Sequence, residues 1–108
     1  MASRTGIALG TNLGNRLANL REARDRLVKL MPPETSYRQS GLYQSEPVGC
    51  PPNSPDFYNA VIEIDYLDTP HDLLKTTQFI EWKMGREASG VRNSPRPIDL
   101  DILYFDDV

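Results

Sequence analysis

An α+β domain is the expectation for this 108-residue chain, and three observations carry it. Short apolar runs with two-residue alternation recur near both ends and in the middle. Apolar residues at three- and four-residue spacing occur in two intervening stretches. Proline, glycine and capping residues stand at the borders between them. Read in order, the elements are strand, helix, strand, strand, helix, strand. That is the split βαβ sandwich of ferredoxin-like domains (βαββαβ): a four-stranded antiparallel sheet with two helices on one face and the other face open. The length admits one domain, 1–108, with a real core and no room for a second.

Gly6-Ile7-Ala8-Leu9-Gly10 is apolar and bounded by glycines, which suits a buried central strand. Thr11-Asn12-Leu13-Gly14-Asn15 follows as a turn, with Asn15 placed to cap a helix. Leu17, Leu20, Ala23, Leu27 and Leu30 form one face of that helix, and Pro32-Pro33 stops it. Thr35 to Ser45 is mixed and β-tolerant, the second strand. Glu46 to Asp56 holds four prolines and reads as a rigid irregular loop, either a connector or a wall for a ligand. Phe57 to Tyr66 is the third strand, with Phe57, Asn59 and Val61 on one face and Tyr58, Ala60 and Ile62 on the other.

Thr69-Pro70-His71-Asp72 opens the second helix, with Thr69 as cap and Pro70 at the first helical position. Leu73, Thr77, Ile80 and Met84 form its buried stripe, and Gly85 is expected to end it. Arg86 to Asn93 reads as a loop that can close over a ligand. The last strand lies within Ser94 to Phe105, entered through Pro95 and Pro97.

The composition is that of an ordinary globular domain, and a net charge of −3 argues against nucleic-acid binding through bulk positive charge. One cysteine, Cys50, excludes an internal disulfide and fits a reducing, cytoplasmic setting. No apolar run reaches transmembrane length, and Met1 to Gly6 does not read as a secretory leader. His71, the only histidine, sits in an exposed first turn with no second ligand near it. The glycines around Thr11 do not match the phosphate-loop pattern.

Chemistry concentrates in the last strand. Asp99 and Asp101 alternate with Ile98, Leu100 and Ile102, so both carboxylates share the face away from the core, their Cα atoms about 6.5–7 Å apart. A wet strand face accounts for such a pattern by itself. The alternative is a site for hard cations, since two carboxylates at this spacing can hold one ion together or bridge two Mg²⁺ ions. Arg86, Arg92 and Arg96 lie just upstream and suit a polyphosphate shared between metal and guanidinium groups. On the third strand, Asn59 offers the paired donor and acceptor that an amide-like heterocycle edge requires, and Phe57 can either fill the core or stack on a flat ring.

The run R-x-x-P-R-x-x-D-L-D-I-L from Arg92 to Leu103 resembles the signature of the 6-hydroxymethyl-7,8-dihydropterin pyrophosphokinases of folate biosynthesis. Gly10 to Gly14 resembles that family's G-[ST]-N-[LM]-G opening, Ser45 to Gly49 its pterin loop, and Asp56 to Asn59 its D-[YF]-x-N segment. Gln78 and Glu81, followed by Gly85-Arg86, resemble its ATP-contacting segment. Two departures are Ser94, where Gly or Ala is usual, and Asn93, where a Trp is frequent.

The resemblance implies ATP-dependent pyrophosphoryl transfer to the hydroxymethyl group of the dihydropterin, with AMP released. It implies two Mg²⁺ ions on Asp99 and Asp101, and phosphoryl charge met by Arg86 and Arg96. It assigns the pterin to Ser45, Pro47, Val48, Phe57 and Asn59, and ATP to Gln78, Glu81, Arg86, Arg96 and Ile102. Small molecules are then the partners, with no nucleic acid and no membrane, and fusion to or cooperation with other folate-pathway enzymes is in keeping with it. The chain ends at Val108, without the C-terminal extension usual in the family. The alternative expectation is therefore a truncated or degenerate relative that binds pterin or nucleotide without turnover. A non-catalytic module of the same topology explains the fold but not the arginines beside paired acids. An RNA-binding sheet is disfavoured by acids on its open face.

Overall fold

The computed structural model describes residues 3–12, 15–32, 37–45, 56–89 and 98–105, the side chains of 86–89 excepted. Among these residues, five strands and two helices follow in the order β1 (Ser3–Thr11), α1 (Arg16–Val28), β2 (Arg38–Gln39), β3 (Tyr43–Ser45), β4 (Phe57–Tyr66), α2 (Pro70–Ser89) and β5 (Asp99–Phe105). All strand pairings are antiparallel. The sheet runs β2-β4-β1-β5, with β3 also on β4. This is the α+β, ferredoxin-like arrangement, with one difference from the expected four strands.

The single strand expected over Thr35–Ser45 is an edge broken into two. Gln39 faces Ile62 but Tyr43 faces Asn59, so one extra residue is accommodated between β2 and β3. Ser40 bridges the break: its N–H donates to Val61 O at 2.8 Å, and its hydroxyl accepts from Val61 N at 2.8 Å. A side-chain oxygen thus stands in for the backbone carbonyl of a regular ladder.

The core lies between the sheet and the helices. Ile7 and Leu9 of β1, Ile62 and Ile64 of β4, and Ile98 and Leu100 at β5 meet Leu20, Ala23 and Leu27 of α1 and Leu73, Ile80 and Met84 of α2. Burial of each large aliphatic side chain contributes about 1.5–3 kcal/mol. Of the face expected for α1, Leu17 is instead half exposed, and Leu30 lies past the helix end, packed partly against the core. Asn15 caps α1 by accepting from Ala18 N at 3.1 Å. Arg16 ties the helix start to β4, donating to Asp56 O at 2.8 Å and stacking over the Tyr58 ring. At α2, Thr69 accepts from Asp72 N and donates to the Asp72 carboxylate.

Helix α2 does not end at Gly85. It continues to Ser89, so Arg86 is helical rather than part of a loop. An interior glycine costs a helix about 1 kcal/mol, and Arg86, Glu87 and Ala88 are good helix formers that offset it. Gly90 to Pro97 and Glu46 to Pro55 lie outside the described residues.

The second irregularity is on β5. Ile102 faces Ile7, but Tyr104 faces Gly6, so Leu103 is a bulged extra residue. The alternation expected for Ile98, Leu100 and Ile102 therefore reverses beyond it. Phe105 turns to the core, where it meets Tyr66 edge to face, and Tyr104 joins the face of the aspartates. Its ring crosses β1 over Gly6 and its hydroxyl donates to Glu63 on β4. Arg4 is 3.4 Å from the same carboxylate. A Cβ at position 6 would stand 2.2–2.8 Å from the Tyr104 ring, so this crossing requires glycine.

Gly6→Ala should therefore destabilise the fold by about 1–3 kcal/mol in urea unfolding. In a Tyr104→Ala background the same change should cost less than about 0.5 kcal/mol, as at an ordinary surface position. Equal costs in both backgrounds would rule out the crossing. The hydrogen bond to Glu63, followed by burial, raises the Tyr104 pKa above its ordinary 10.0. The folded state then holds the phenol proton more tightly than the unfolded state does. The resulting stabilisation is complete below the ordinary phenol pKa and is lost as pH rises through the raised folded value. Tyrosine absorbance titration should show a late-ionising phenol that Tyr104→Phe removes.

Candidate functional site

The open face of the sheet is ordered in rows by the strand register. Asp99 on β5 faces Gly10 on β1, Gly10 faces Asn59 on β4, and Asn59 faces Tyr43 on β3. The next row runs from Asp101 through Ala8 to Val61, and the next from Tyr104 through Gly6 to Glu63. Strands lie about 4.8 Å apart, so Asp99 and Asn59 stand roughly 9–10 Å apart across the floor. Along β1 this side carries Arg4 near the start and then Gly6, Ala8 and Gly10. The last three leave a trough through the centre of the sheet, which the Tyr104 ring fills at Gly6 and leaves open at Ala8 and Gly10.

That open part is a cleft of about 310 Å³ with Phe57, Asn59, Tyr43 and Ser45 on one side and Asp99 and Asp101 on the other. Asn59 is held in place. Its Nδ2 donates to Ser45 Oγ at 2.8 Å, and a Cβ on Gly10 would lie only 3.2 Å from its Oδ1. Glycine at 10 thus lets the carboxamide lie low across the floor. Phe57 is half-buried beside it rather than sunk in the core, so its ring forms part of the cleft wall. Asp99 is half-buried and Asp101 exposed, on the same face as expected.

The arrangement suits a flat heterocycle at one end, read by a fixed carboxamide, and a charged group at the other. The two carboxylates are hard oxygen donors of the type Mg²⁺ takes. Magnesium usually keeps one or two protein carboxylates and completes its shell with water and phosphate oxygens. No group of three or more candidate ligands occurs among the described residues.

Of the residues expected to form the site, Ser45, Phe57, Asn59, Asp99 and Asp101 come together in this cleft. Gln78 is exposed on α2. Glu81 is buried, and its Oε2 accepts from Leu100 N at 2.8 Å. Ile102 is turned toward the core side, partly buried against it. Arg86 is placed through its backbone only, and Pro47, Val48 and Arg96 lie outside the described residues. Tyr43, Ala8 and Gly10 line the cleft without having been singled out as site residues. The small-residue alternation Gly6-Ala8-Gly10 was the available signal for two of them.

A family model for 7,8-dihydro-6-hydroxymethylpterin-pyrophosphokinase matches residues 6–107. The chain is 46% identical over 99 residues to a folate synthesis bifunctional protein of Arabidopsis thaliana, covering 92% of this chain and 20% of that protein. It is 41% identical over 106 residues to the 2-amino-4-hydroxy-6-hydroxymethyldihydropteridine pyrophosphokinase of Pseudomonas aeruginosa, covering 97% of this chain and 63% of the relative. With the protein of the same description from Bacillus subtilis it shares 40% identity over 99 residues, covering 92% of this chain and 58% of the relative. The chain thus spans about three fifths of the bacterial relatives and a fifth of the plant one. Matched over almost its whole length, with its acid pair and carboxamide facing each other across one cleft, the chain belongs to the 7,8-dihydro-6-hydroxymethylpterin-pyrophosphokinase family.

Proposed function

We propose that this chain catalyses ATP-dependent pyrophosphoryl transfer to 6-hydroxymethyl-7,8-dihydropterin, giving the diphosphate ester and AMP. The observation that carries the reading is the row Asp99–Gly10–Asn59, which sets a metal-type carboxylate and a pterin-type carboxamide about two strand spacings apart on one floor. A bicyclic heterocycle anchored at Asn59 then has its side group extended toward Asp99 and Asp101.

In this reading Asn59, fixed by Ser45, hydrogen-bonds the amide-like edge of the pterin while Phe57 stacks on its ring. Pro47 and Val48 complete that side. Asp99 and Asp101 hold two Mg²⁺ ions, whose chemistry when bound is to neutralise phosphate charge and orient the triphosphate. The substrate hydroxyl oxygen forms a bond to the β-phosphorus as the bond to the α-bridging oxygen breaks. AMP leaves with that oxygen, and the hydroxyl proton passes to solvent water. Arg86 and Arg96 meet the charge that develops on the phosphoryl oxygens. Gln78 stands on the nucleotide side, with Glu81 and Ile102 behind β5. The lone Cys50 supports a reducing compartment, and bifunctional relatives support a partnership with other folate-synthesis domains.

The direct test is incubation with ATP, Mg²⁺ and the dihydropterin, with AMP followed by chromatography. AMP should form only when all three are present. Asp99→Ala and Asp101→Ala should each abolish turnover while circular dichroism stays unchanged, and full activity in either would refute the assignment. Ser45→Ala removes the shortest hydrogen bond of the Asn59 amide and should weaken binding of a pterin analogue about 2–12-fold by calorimetry. Pterin binding without AMP formation would favour a binding-only relative.

A further inference from the structure

Among the described residues Glu81 is the one buried charged side chain, 8% exposed. It interrupts an otherwise uncharged stripe on α2, formed by Leu73, Thr77, Ile80 and Met84. Burying a carboxylate is costly unless hydrogen bonds replace its water. An apolar residue there would have added to the core instead, so a polar task accounts for the position better than packing does.

One of its hydrogen bonds indicates that task. Strand β5 lies at the end of the sheet order, with β1 on one side and, among the described residues, no strand on the other. Leu100 N–H donates to Glu81 Oε2 at 2.8 Å, a charge-assisted hydrogen bond to the strand backbone. Leu100 is the residue between Asp99 and Asp101. Two like charges on one face of an edge strand push apart, and an edge strand held from one side alone can twist or fray. The pairs Gly10–Asp99 and Ala8–Asp101 fix β5 to β1, and Glu81 fixes it from the helix side at the peptide between the acids.

We propose that Glu81 is a positioning residue that clamps the outer edge of β5 through the Leu100 amide and so presets the spacing of Asp99 and Asp101 for a divalent cation. This rests on the pyrophosphokinase reading of that pair. A direct contact between Glu81 and the nucleotide is the competing role, and it depends on the charge rather than on an acceptor directed at β5. A glutamine retains an acceptor oxygen and loses the charge, so it separates the two.

The test uses the whole chain and two variants, Glu81→Ala and Glu81→Gln, with Asp101→Asn as reference. Without metal, the Leu100 amide proton in nitrogen-15 NMR should move upfield and exchange about tenfold or more faster in Glu81→Ala. It should stay near its original position in Glu81→Gln. In the presence of a non-hydrolysable ATP analogue, Mn²⁺ titration followed by electron paramagnetic resonance should show about tenfold weaker binding in Glu81→Ala. Glu81→Gln should restore it to within about twofold. An unmoved Leu100 amide, unchanged Mn²⁺ affinity in Glu81→Ala, or a glutamine variant as weak as the alanine one would each overturn the proposal. Should Glu81→Ala fail to fold, loss of the Leu100 shift or of Mn²⁺ affinity in Glu81→Gln overturns it equally. An unaltered chain that binds Mn²⁺ no better than Asp101→Asn refutes the pyrophosphokinase reading itself, and this inference with it.

Discussion

The absence of side-chain bulk from Gly6 to Gly10 along one face of the central strand governs the rest of this structure. On β1, Ile7 and Leu9 point into the core and Gly6, Ala8 and Gly10 point out. A strand buried on both faces would carry large residues on each. Here, past Arg4, the outward set is only glycine and alanine. The neighbouring strands can therefore send side chains across the trough without collision: Asn59 over Gly10 from one side, Tyr104 over Gly6 from the other. The same strip that opens a cleft beside Ala8 and Gly10 is closed one row further along by an aromatic ring bonded to Glu63.

The site is consequently divided in its mechanical support. The carboxamide side rests on β4, a ten-residue strand with β1 on one flank and the broken edge β2 and β3 on the other. Ser40 mends that edge, and Ser45 at its end holds Asn59. The carboxylate side rests on β5, the last strand of the sheet among the described residues, so its firmness comes from β1, from buried Ile98 and Leu100, and from α2. Electrostatic stabilisation of a transferring phosphoryl group works through groups already in place before reaction. In the proposed reaction that preorganisation would come from strand register more than from any single side chain.

Much of this was legible from residue order. Helical spacing gave both helices, since Leu20, Ala23 and Leu27, and Leu73, Thr77, Ile80 and Met84, bury as their periodicity requires. Two-residue alternation gave β4 over its observed bounds and put both aspartates on the open face. Irregularity was not legible. The bulge at Leu103 has no glycine or proline to mark it, and its consequence, Phe105 in the core against Tyr66, is a tertiary contact. The break at Ser40 depends on a hydroxyl that replaces a carbonyl, which composition does not announce. Glu81 read as one polar residue in an amphipathic helix, and only the tertiary fold brings it to the edge of β5. Gly85 read as a stop because local propensity favours one there, yet the residues after it carry the helix on.

The central claim is that cation and nucleotide meet the sheet at Asp99 and Asp101, beside the floor of Ala8 and Gly10. Paramagnetic broadening by Mn²⁺ with a non-hydrolysable ATP analogue tests it most directly, read residue by residue on the backbone amides. The account predicts that Ala8, Gly10, Asp99 and Asp101 broaden first, while Ala23 and Leu27 on the opposite layer stay sharp. Broadening centred on α1, or spread evenly over the surface, would contradict it.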